Sequence, residues 1–384
     1  MVIMYMHMEK MKEKAWICSL CPKLCRHVCP VAQVLESELD TPNGKALLAY
    51  ILAKNNVEIT PSMVTHLYNC TTCGICGTEK WCPIERIDMP AIIRAARADI
   101  VDAGKAPRKI VELENMMREN KNPYGMPREN RFSQIRVHVK DKKDSEVLYF
   151  VGCTAAYKRP EIPNAVVKIL ETGKIDYTIM GDEICCGKPL VDAGYIESAK
   201  DNANELVGAI ERMHSNTIVA SCPSCYYMLK TYYPKEFGIK LGIEIFHITE
   251  YLEQLLEKGK IKIAKPYDKK VIYHDPCYLG RHSGIYDVPR RIIGNINQIN
   301  LVESFFSKDN AHCCGRGGDF RITAPDASLE IAKNRLKELL ENEPDTIITT
   351  CPGCKDQFID ALEKMESSKK FKIEDLCEVI AYLL

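Results

Sequence analysis

The sequence predicts a helical N-terminal region followed by two α/β units related by internal duplication. Three observations lead to this prediction. The 19 cysteines fall into four groups with one left over. In the last two groups, short apolar runs typical of buried strands end at a cysteine, and this happens twice in each group. The chain has 384 residues, more than one hydrophobic core usually supports, so several domains are expected.

Two helices are predicted between the first two cysteine groups. They begin with Thr-Pro, at Thr41-Pro42 and at Thr60-Pro61. Threonine is a good helix N-cap, and proline suits the first turn because its missing N–H is not needed there. Apolar residues then follow at helical spacing. The N-terminal domain, residues 1–103, is therefore expected to be helical.

The C-terminal part of the chain contains the same series of motifs twice. "EVLYFVGC" at 146–153 matches "KVIYHDPC" at 270–277, and "TIVASCPSC" at 217–225 matches "TIITTCPGC" at 346–354. Between them, "EICCGKP" matches "AHCCGRG". A repeated order of this kind predicts two α/β domains with cysteines at strand ends and turns, where open parallel sheets build their sites.

A charged segment separates the helical region from the duplicated part. It covers residues 104–145 and contains the turn sequence "NPYG". Charge, proline and glycine together predict a connector that follows the protein surface. The α/β domains are then expected at 146–265 and 266–384.

The composition excludes several classes of function. Lys plus Arg and Asp plus Glu both number 52, so no nucleic-acid partner is expected. No apolar run approaches the ~18 residues of a membrane helix, and no signal-peptide pattern is seen, so a cytoplasmic protein is expected, associated with a membrane only through a partner. Many cysteines in a reducing compartment usually bind metal. Without G-x-G-x-x-G or a phosphate loop, no flavin or NAD is expected in this chain.

The first two cysteine groups each end in Cys-Pro and are spaced like iron–sulfur ligands. They are Cys18, Cys21, Cys25 and Cys29, followed by Cys70, Cys73, Cys76 and Cys82. They resemble the paired [4Fe–4S] signature of ferredoxins, in which the last cysteine of each run ligates the other cluster. The resemblance implies one cubane cluster on Cys18, Cys21, Cys25 and Cys82 and another on Cys70, Cys73, Cys76 and Cys29. The alternative is two structural zinc sites, although zinc requires no trailing proline.

The third and fourth groups each have five cysteines, including an adjacent pair followed by glycine. They are Cys153, Cys185, Cys186, Cys222 and Cys225, followed by Cys277, Cys313, Cys314, Cys351 and Cys354. Adjacent cysteines can hold two irons of one cluster, and we expect the glycine to let the backbone approach inorganic sulfur. The remaining cysteine, Cys377, lies in an apolar helical segment and is expected in the core.

The order C…CCG…C-P-x-C, present twice behind a two-cluster region, resembles the D subunits of the heterodisulfide reductase family. The resemblance implies an α-helical ferredoxin domain followed by two tandem α/β cysteine-rich (CCG) domains. In that family each cysteine-rich repeat binds a non-cubane [4Fe–4S] cluster with all five cysteines. The third and fourth groups would therefore each hold one such cluster.

The resemblance also implies a reaction and a partner. The family reduces the mixed disulfide of coenzymes M and B between its two non-cubane clusters, while the cubanes relay electrons from a flavoprotein or a membrane cytochrome b. Related iron–sulfur subunits of flavin-dependent 2-hydroxy-acid (glycolate, lactate) and glycerol-3-phosphate dehydrogenases only transfer electrons, which is the alternative. Their cysteine sets are often incomplete. The two complete sets in this sequence favour the disulfide reductase.

Five other residues beside the cysteine groups are candidates for the site. His274 and His312 are expected either to deliver protons to a nascent thiolate or to orient ligands by hydrogen bonds. Lys188, Arg281 and Arg316 are expected either to bind an anionic group of the substrate or to offset the negative charge of a cluster.

Overall fold

The computed structural model describes residues 6–22, 24–54, 57–84, 87–136, 141–365 and 371–384. Its N-terminal region is helical, as expected. The helices are α1 (Met6–Glu9), α2 (Lys12–Ser19), α3 (Pro30–Leu35), α4 (Pro42–Ala53), α5 (Pro61–Tyr68), α6 (Met89–Asp102) and α7 (Arg108–Asn120). Single 3-10 turns lie at Arg26–Val28, Glu38–Asp40, Ile75–Gly77, Arg128–Asn130 and Lys308–Asn310. None of the described helices is both long enough and apolar enough to cross a lipid bilayer.

The predicted starts of two helices are confirmed. The hydroxyl of Thr41 accepts a hydrogen bond from the N–H of Gly44 at 3.0 Å, and α4 begins at the next residue, a proline. Thr60 caps α5 in the same way through the N–H of Met63, at 3.2 Å. In both helices the threonine satisfies a donor of the first turn, and the proline has no N–H to satisfy.

The first α/β unit is built on a parallel sheet of four strands in the order β2-β1-β3-β4. Its elements are β1 (Val147–Phe150), α8 (Cys153–Lys158), α9 (Glu161–Thr172), β2 (Tyr177–Thr178), α10 (Lys188–Ala193), α11 (Ile196–Glu211), β3 (Thr217–Ala220), α12 (Pro223–Tyr227) with a π-helical continuation (Met228–Phe237), β4 (Glu244–His247) and α13 (Ile248–Glu257). Strands β1 and β3 are buried between helices, which explains their continuous apolar sequence.

The second α/β unit repeats this topology with the parallel order β6-β5-β7-β8. Its elements are β5 (Lys270–Tyr273), α14 (Asp287–Gly294), β6 (Asn300–Val302), α15 (Phe320–Thr323), α16 (Pro325–Leu340), β7 (Thr346–Thr349), α17 (Pro352–Glu363), β8 (Lys372–Asp375) and α18 (Leu376–Leu383). The predicted pair of α/β units is therefore confirmed. We call them the first half and the second half.

The last helix of the chain packs against the first half. Lys168 of α9 donates to the carbonyl of Ala381 in α18 at 2.5 Å. Lys355 of α17 forms ion pairs with Glu161 of α9 at 2.7 Å and with Glu378 of α18 at 2.5 Å. Cys377 is fully buried in α18, as predicted.

A fully buried arginine of α6 joins the helical region to both halves. Arg97 of α6 donates to the carbonyl of Asp192 at 2.8 Å in the first half and to that of Gly318 at 2.9 Å in the second. It also donates to the carbonyls of Tyr68 at 2.9 Å and Cys70 at 3.0 Å. A fully buried cation usually needs such partners, and here they hold three parts of the chain in one arrangement.

The connector at 104–145 is less superficial than expected. Asn122 and Arg131 are buried, and Arg131 forms an ion pair with Glu183 of the first half. The carboxylate of Glu183 also accepts hydrogen bonds at 2.9 Å from the N–H groups of Val151 and Gly152. The connector therefore stabilises the end of β1, because Arg131 neutralises Glu183, the residue that binds the N–H groups of Val151 and Gly152.

Candidate metal centres

The five cysteines of the first half come together at the carboxyl ends of its strands. Cys153 begins α8 immediately beyond β1, and its sulfur lies 3.7 Å from that of Cys185. Cys186 and Cys222 both lie beside Cys225. The five thiols thus form one continuous group.

The second half repeats this arrangement. Cys313 lies beside Cys277 and Cys314, and Cys354 lies beside Cys314 and Cys351. The equivalence follows from the shared topology, because the same strand ends deliver the same cysteines.

The glycine after each cysteine pair is required by the turn that carries the pair. Gly187 and Gly315 have φ values of +71° and +87°, which side chains rarely adopt. A Cβ at Gly315 would lie 2.4 Å from the carbonyl oxygen of Ser328 in α16. These glycines therefore serve the turn and the helix packed behind it. Two other glycines lie next to sulfur: a Cβ at Gly152 would be 3.3 Å from the sulfur of Cys225, and a Cβ at Gly353 would be 3.7 Å from that of Cys351.

The two five-cysteine groups meet at a shared cavity. The thiols of Cys222 and Cys351, one from each half, lie beside each other. The cavity has a volume of about 570 Å³. Nine of the ten cysteines line it, Cys313 being the exception. A molecule in this cavity would contact both groups at once.

The electrostatics of these groups suit a bound cation. The neighbouring thiols of Cys153 and Cys186, together with burial, raise the pKa of Cys185 well above its usual value. In the second half, Cys314, Cys351 and burial raise the pKa of Cys354 in the same way. Hydrogen bonds from Cys185 and Cys225 lower the pKa of Cys186, and those from Cys313 and Cys354 lower the pKa of Cys314. Each group thus combines thiols that ionise readily with thiols that do not, and metal binding replaces the remaining protons and offsets the negative charges.

The first N-terminal group collects around the loop before α6. Cys18, Cys21, Cys25, Cys76 and Cys82 line one small pocket. Burial raises the pKa of Cys18 to about 12, and the nearby thiols of Cys25, Cys21 and Cys82 add to the shift. Cys82 therefore lies near the three cysteines with which the resemblance to ferredoxins groups it.

The second N-terminal group forms around Cys29. Burial raises the pKa of Cys29, with Cys73 and Cys70 adding to the shift and Lys45 opposing it. Burial likewise raises the pKa of Cys76, and the neighbours that add to it are Cys25, Cys29, Cys73 and Cys70. Cys29 thus lies with the cysteines of the other run, and the two N-terminal groups are adjacent.

The N-terminal cysteines also reach the second half. The thiol of Cys73 lies beside that of Cys313. Trp81 donates to the side chain of Asn310 at 2.7 Å, and His282 lies 3.0 Å from the carbonyl of Thr72. The loop that carries Cys70 to Cys76 is therefore docked on the second half.

All 18 grouped cysteines are free thiols, and no two of them form a disulfide. Soft thiolates in buried sets of four and five fit iron–sulfur clusters well. The N-terminal sets of four could each hold a cubane. The sets of five could each hold one further iron–sulfur cluster.

Two of the five candidate residues beside the cysteine groups, Lys188 and Arg316, line the shared cavity. Lys188 forms an ion pair with Asp192 and lies 4.4 Å from the ring centre of Tyr278. Arg316 forms an ion pair with Asp356 and donates to the hydroxyl of Tyr124 at 3.0 Å.

His274 and His312 do not belong to the cavity lining. Burial and the nearby Arg335 lower the pKa of His274 to about 3, so its imidazole is neutral. His312 lies 2.6 Å from a carboxylate oxygen of Glu338 and stacks on Phe306. Arg335 and Glu338 also form an ion pair at 2.8 Å, which makes the two histidines part of one network behind the cysteines.

Sequence reasoning missed several charged and polar residues of the cavity. Tyr124 of the connector hydrogen-bonds the hydroxyl of Thr154 at 2.7 Å and lines the cavity beside Arg159, Asp319 and Asp356. The "NPYG" turn predicted a change of chain direction but gave no signal that its tyrosine would reach the cysteines.

Comparison with known proteins identifies the family. The family described as "Cysteine-rich domain" (CCG) matches residues 147–230 and 271–359. The chain is 33% identical over 323 residues to the D subunit of dihydromethanophenazine:CoB–CoM heterodisulfide reductase of Methanosarcina acetivorans, covering 83% of this chain and 78% of that protein. This chain belongs to the heterodisulfide reductase D family. The D subunit of the Methanosarcina barkeri enzyme is 31% identical over 85% of this chain and 81% of its own length.

Some relatives outside the heterodisulfide reductases are also oxidoreductases by name. "EtfAB:quinone oxidoreductase" of Syntrophomonas wolfei is 28% identical over 82% of this chain and 46% of that protein. The chain is accordingly an iron–sulfur oxidoreductase of the heterodisulfide reductase D family.

Proposed function

We propose that this chain reduces a disulfide, the heterodisulfide of coenzymes M and B, at two non-cubane [4Fe–4S] clusters held by its two halves. The eight N-terminal cysteines would hold two cubane clusters in a helical ferredoxin domain (residues 1–103), and these clusters would supply the path for the electrons. The observation that supports this most directly is the meeting of two complete five-cysteine groups at one cavity. Two electrons are needed to split a disulfide, and two facing one-electron centres can supply one each.

The cysteines hold the clusters, and the clusters supply one-electron chemistry and Lewis-acidic iron. Seven of the ten cysteines of the two halves are buried, and Cys222, Cys277 and Cys351 are half-buried. A cavity of about 570 Å³ lies within the range of small-molecule sites.

The charged lining of the cavity supports an anionic substrate. Lys188 and Arg316 line it together with Arg159 and Arg321. Asp356 pairs with Arg159 at 2.9 Å, with Arg316, and with Arg321 at 3.0 Å. Asp360, which also lines the cavity, pairs with Arg321, so two carboxylates face three guanidinium groups and about one positive charge remains. The remaining positive charge can bind a sulfonate, carboxylate or phosphate of the substrate.

For the two histidines, the proposal favours a supporting role. His274 and His312 belong to a buried network with Arg335 and Glu338. We assign them to hydrogen bonding behind the cysteine layer rather than to proton delivery. Electrons would come from a partner protein, either a flavoprotein or a membrane cytochrome b, which would also provide any contact with a membrane.

Metal analysis and spectroscopy of anaerobically purified protein test the proposal. Four clusters of four irons predict about sixteen irons per chain. Adding coenzyme M thiol to the oxidised protein should produce a new paramagnetic resonance signal, and reduced viologen should drive cleavage of the heterodisulfide. Zinc in place of iron would overturn the cluster assignment.

A second candidate is an electron-relay subunit of a flavin-dependent 2-hydroxy-acid or glycerol-3-phosphate dehydrogenase. The similarity to EtfAB:quinone oxidoreductase supports this second candidate. Full iron content, no response to thiol and rapid reduction by a flavoprotein would select the relay over the disulfide reductase.

A further inference from the structure

Arg281 links the N-terminal cysteine loop to the second half. It follows Cys277 by four positions, and its Nε donates to the carbonyl of Cys73 at 2.8 Å. Its Nη1 donates to the carbonyl of Ala311 at 2.6 Å and to that of Asp309 at 3.1 Å. Two nitrogens of the guanidinium therefore connect the N-terminal cysteine loop to the segment before Cys313, and these hydrogen bonds fix the plane of the guanidinium.

The third nitrogen of Arg281 is unused. Its Nη2 is buried and has no hydrogen-bond partner among the described residues. A buried guanidinium N–H without a partner is costly, so a missing acceptor is expected at this place. Burial by itself lowers the pKa of Arg281, but the nearby thiols of Cys73, Cys277 and Cys313 outweigh burial and raise this pKa. The guanidinium thus lies among cysteines of both the N-terminal and the second-half groups.

The charge of Arg281 is not cancelled by an acid. The hydrogen bonds of its guanidinium go to backbone carbonyls, and in the described part of the chain no carboxylate forms an ion pair with it. A full positive charge therefore remains beside these cysteines.

The first half has a different residue at the equivalent position. Four positions after Cys153 stands Tyr157, where the second half has Arg281. The cation near Cys153 is Arg131, and it is paired with the buried carboxylate of Glu183. The local charge of this pair is thus close to zero.

We infer that Arg281 is a positioning residue that donates a hydrogen bond to cluster sulfur and raises the reduction potential of the second-half cluster above that of the first. This inference rests on the clusters of the proposed function. Cations and hydrogen bonds near a cluster favour its reduced, more negative form. Because Cys73 also touches this guanidinium, the cubane held with Cys73 should share the effect.

With these potentials, the clusters of the two halves would be reduced in a fixed order. Cys29, Cys70, Cys73 and Cys76 would hold the cubane nearest to the second half, and an electron lost from that cubane would leave it oxidised by one unit. That electron would reduce the second-half cluster by one unit before the first-half cluster is reduced. The first half would then receive its electron second.

Redox titration of the full chain, followed by paramagnetic resonance without any disulfide, tests this. Arg281→Gln should lower the reduction potentials of the second-half cluster and of the cubane held with Cys73. The expected change is about tenfold in the ratio of reduced to oxidised cluster, equivalent to about 59 mV for a one-electron couple. The first-half cluster should keep its potential. Arg291→Gln is the matched control, since it removes the same charge from an exposed helix position in the same half, where Arg291 pairs with Glu253.

Unchanged potentials in an iron-replete Arg281→Gln variant would overturn the inference, and so would an equal shift of every cluster. If this variant fails to bind iron, the titration is repeated with Arg281→Lys. Lysine keeps the positive charge but cannot make the same set of hydrogen bonds as the planar guanidinium. A smaller shift in the same two clusters is then expected, and wild-type potentials would refute the role of Arg281. Since the titration needs no substrate, the wrong disulfide would leave its result intact, whereas absence of iron in the wild type would refute the proposed function itself.

Discussion

The two halves of the duplicated region have the same sheet order and the same five cysteines, but different neighbours. The connector covers the first half: the carbonyl of Lys121 accepts from the N–H of Cys185 at 2.9 Å, and Arg131 pairs with Glu183. The N-terminal cysteine loop covers the second, where Arg281 donates to the carbonyl of Cys73. Duplication therefore supplies two equivalent sets of ligands, and the segments packed on them make the two sets unequal.

Removing one cysteine from either half should have the largest effect. Cys225→Ser and Cys354→Ser change equivalent positions. Each should lose about a quarter of the iron and more than 100-fold of the disulfide reduction, because both halves must deliver an electron. Iron analysis and a viologen-linked assay measure these losses. A half whose cysteine can be lost without effect on turnover would break the equivalence of the two groups.

Breaking an ion pair should damage one half selectively. Arg131→Met leaves the buried Glu183 without its cation, which typically costs about 3–5 kcal/mol. The counterpart in the second half is Arg290→Met, which unpairs Asp275 at the end of β5. The expected result is faster cluster loss on heating from the first half in one variant and from the second half in the other. Paramagnetic resonance after partial heating distinguishes the two. Loss of both clusters together in both variants would mean that the halves unfold as one unit.

Tyr124→Phe should have a smaller effect, confined to the cavity. It removes the hydrogen bonds of the phenol to Thr154 and Arg316, each worth about 0.5–1.5 kcal/mol. We expect KM for the heterodisulfide to rise by about threefold to tenfold with unchanged iron content, because Arg316 loses the group that orients it. An unchanged KM would show that Tyr124 of the connector does not contribute to substrate binding.

Cys377→Ala should have the smallest effect. Cys377 is buried in α18, outside both five-cysteine groups, so only packing is lost, at a cost of about 1 kcal/mol. Iron content and all four cluster signals should match those of the wild type. The variant also serves as the control for Cys225→Ser and Cys354→Ser, and any loss of iron would mean that Cys377 supports a cluster.

Several elements could be predicted from local sequence because their causes are local. Thr41-Pro42 predicts the start of α4, since both the cap and the proline act within one turn. The apolar runs that end at Cys153 and Cys277 predict buried strands, and the repeat of motifs predicts two α/β units. The assignment of cysteines to clusters remains a prediction from spacing and resemblance. The structure brings the members of each predicted set together.

The neighbours of those cysteines could be decided only by tertiary structure. The connector was expected on the surface because it is charged, yet Arg131 is buried since Glu183, 52 residues away, offers the opposite charge. Likewise, no local pattern indicates that Arg281 clamps a loop 208 residues earlier in the chain. The sequence by itself therefore determined which residues can bind metal, since ligand chemistry belongs to the side chain. The folded chain decided which charges lie beside each metal group, because these depend on contacts between segments far apart in sequence.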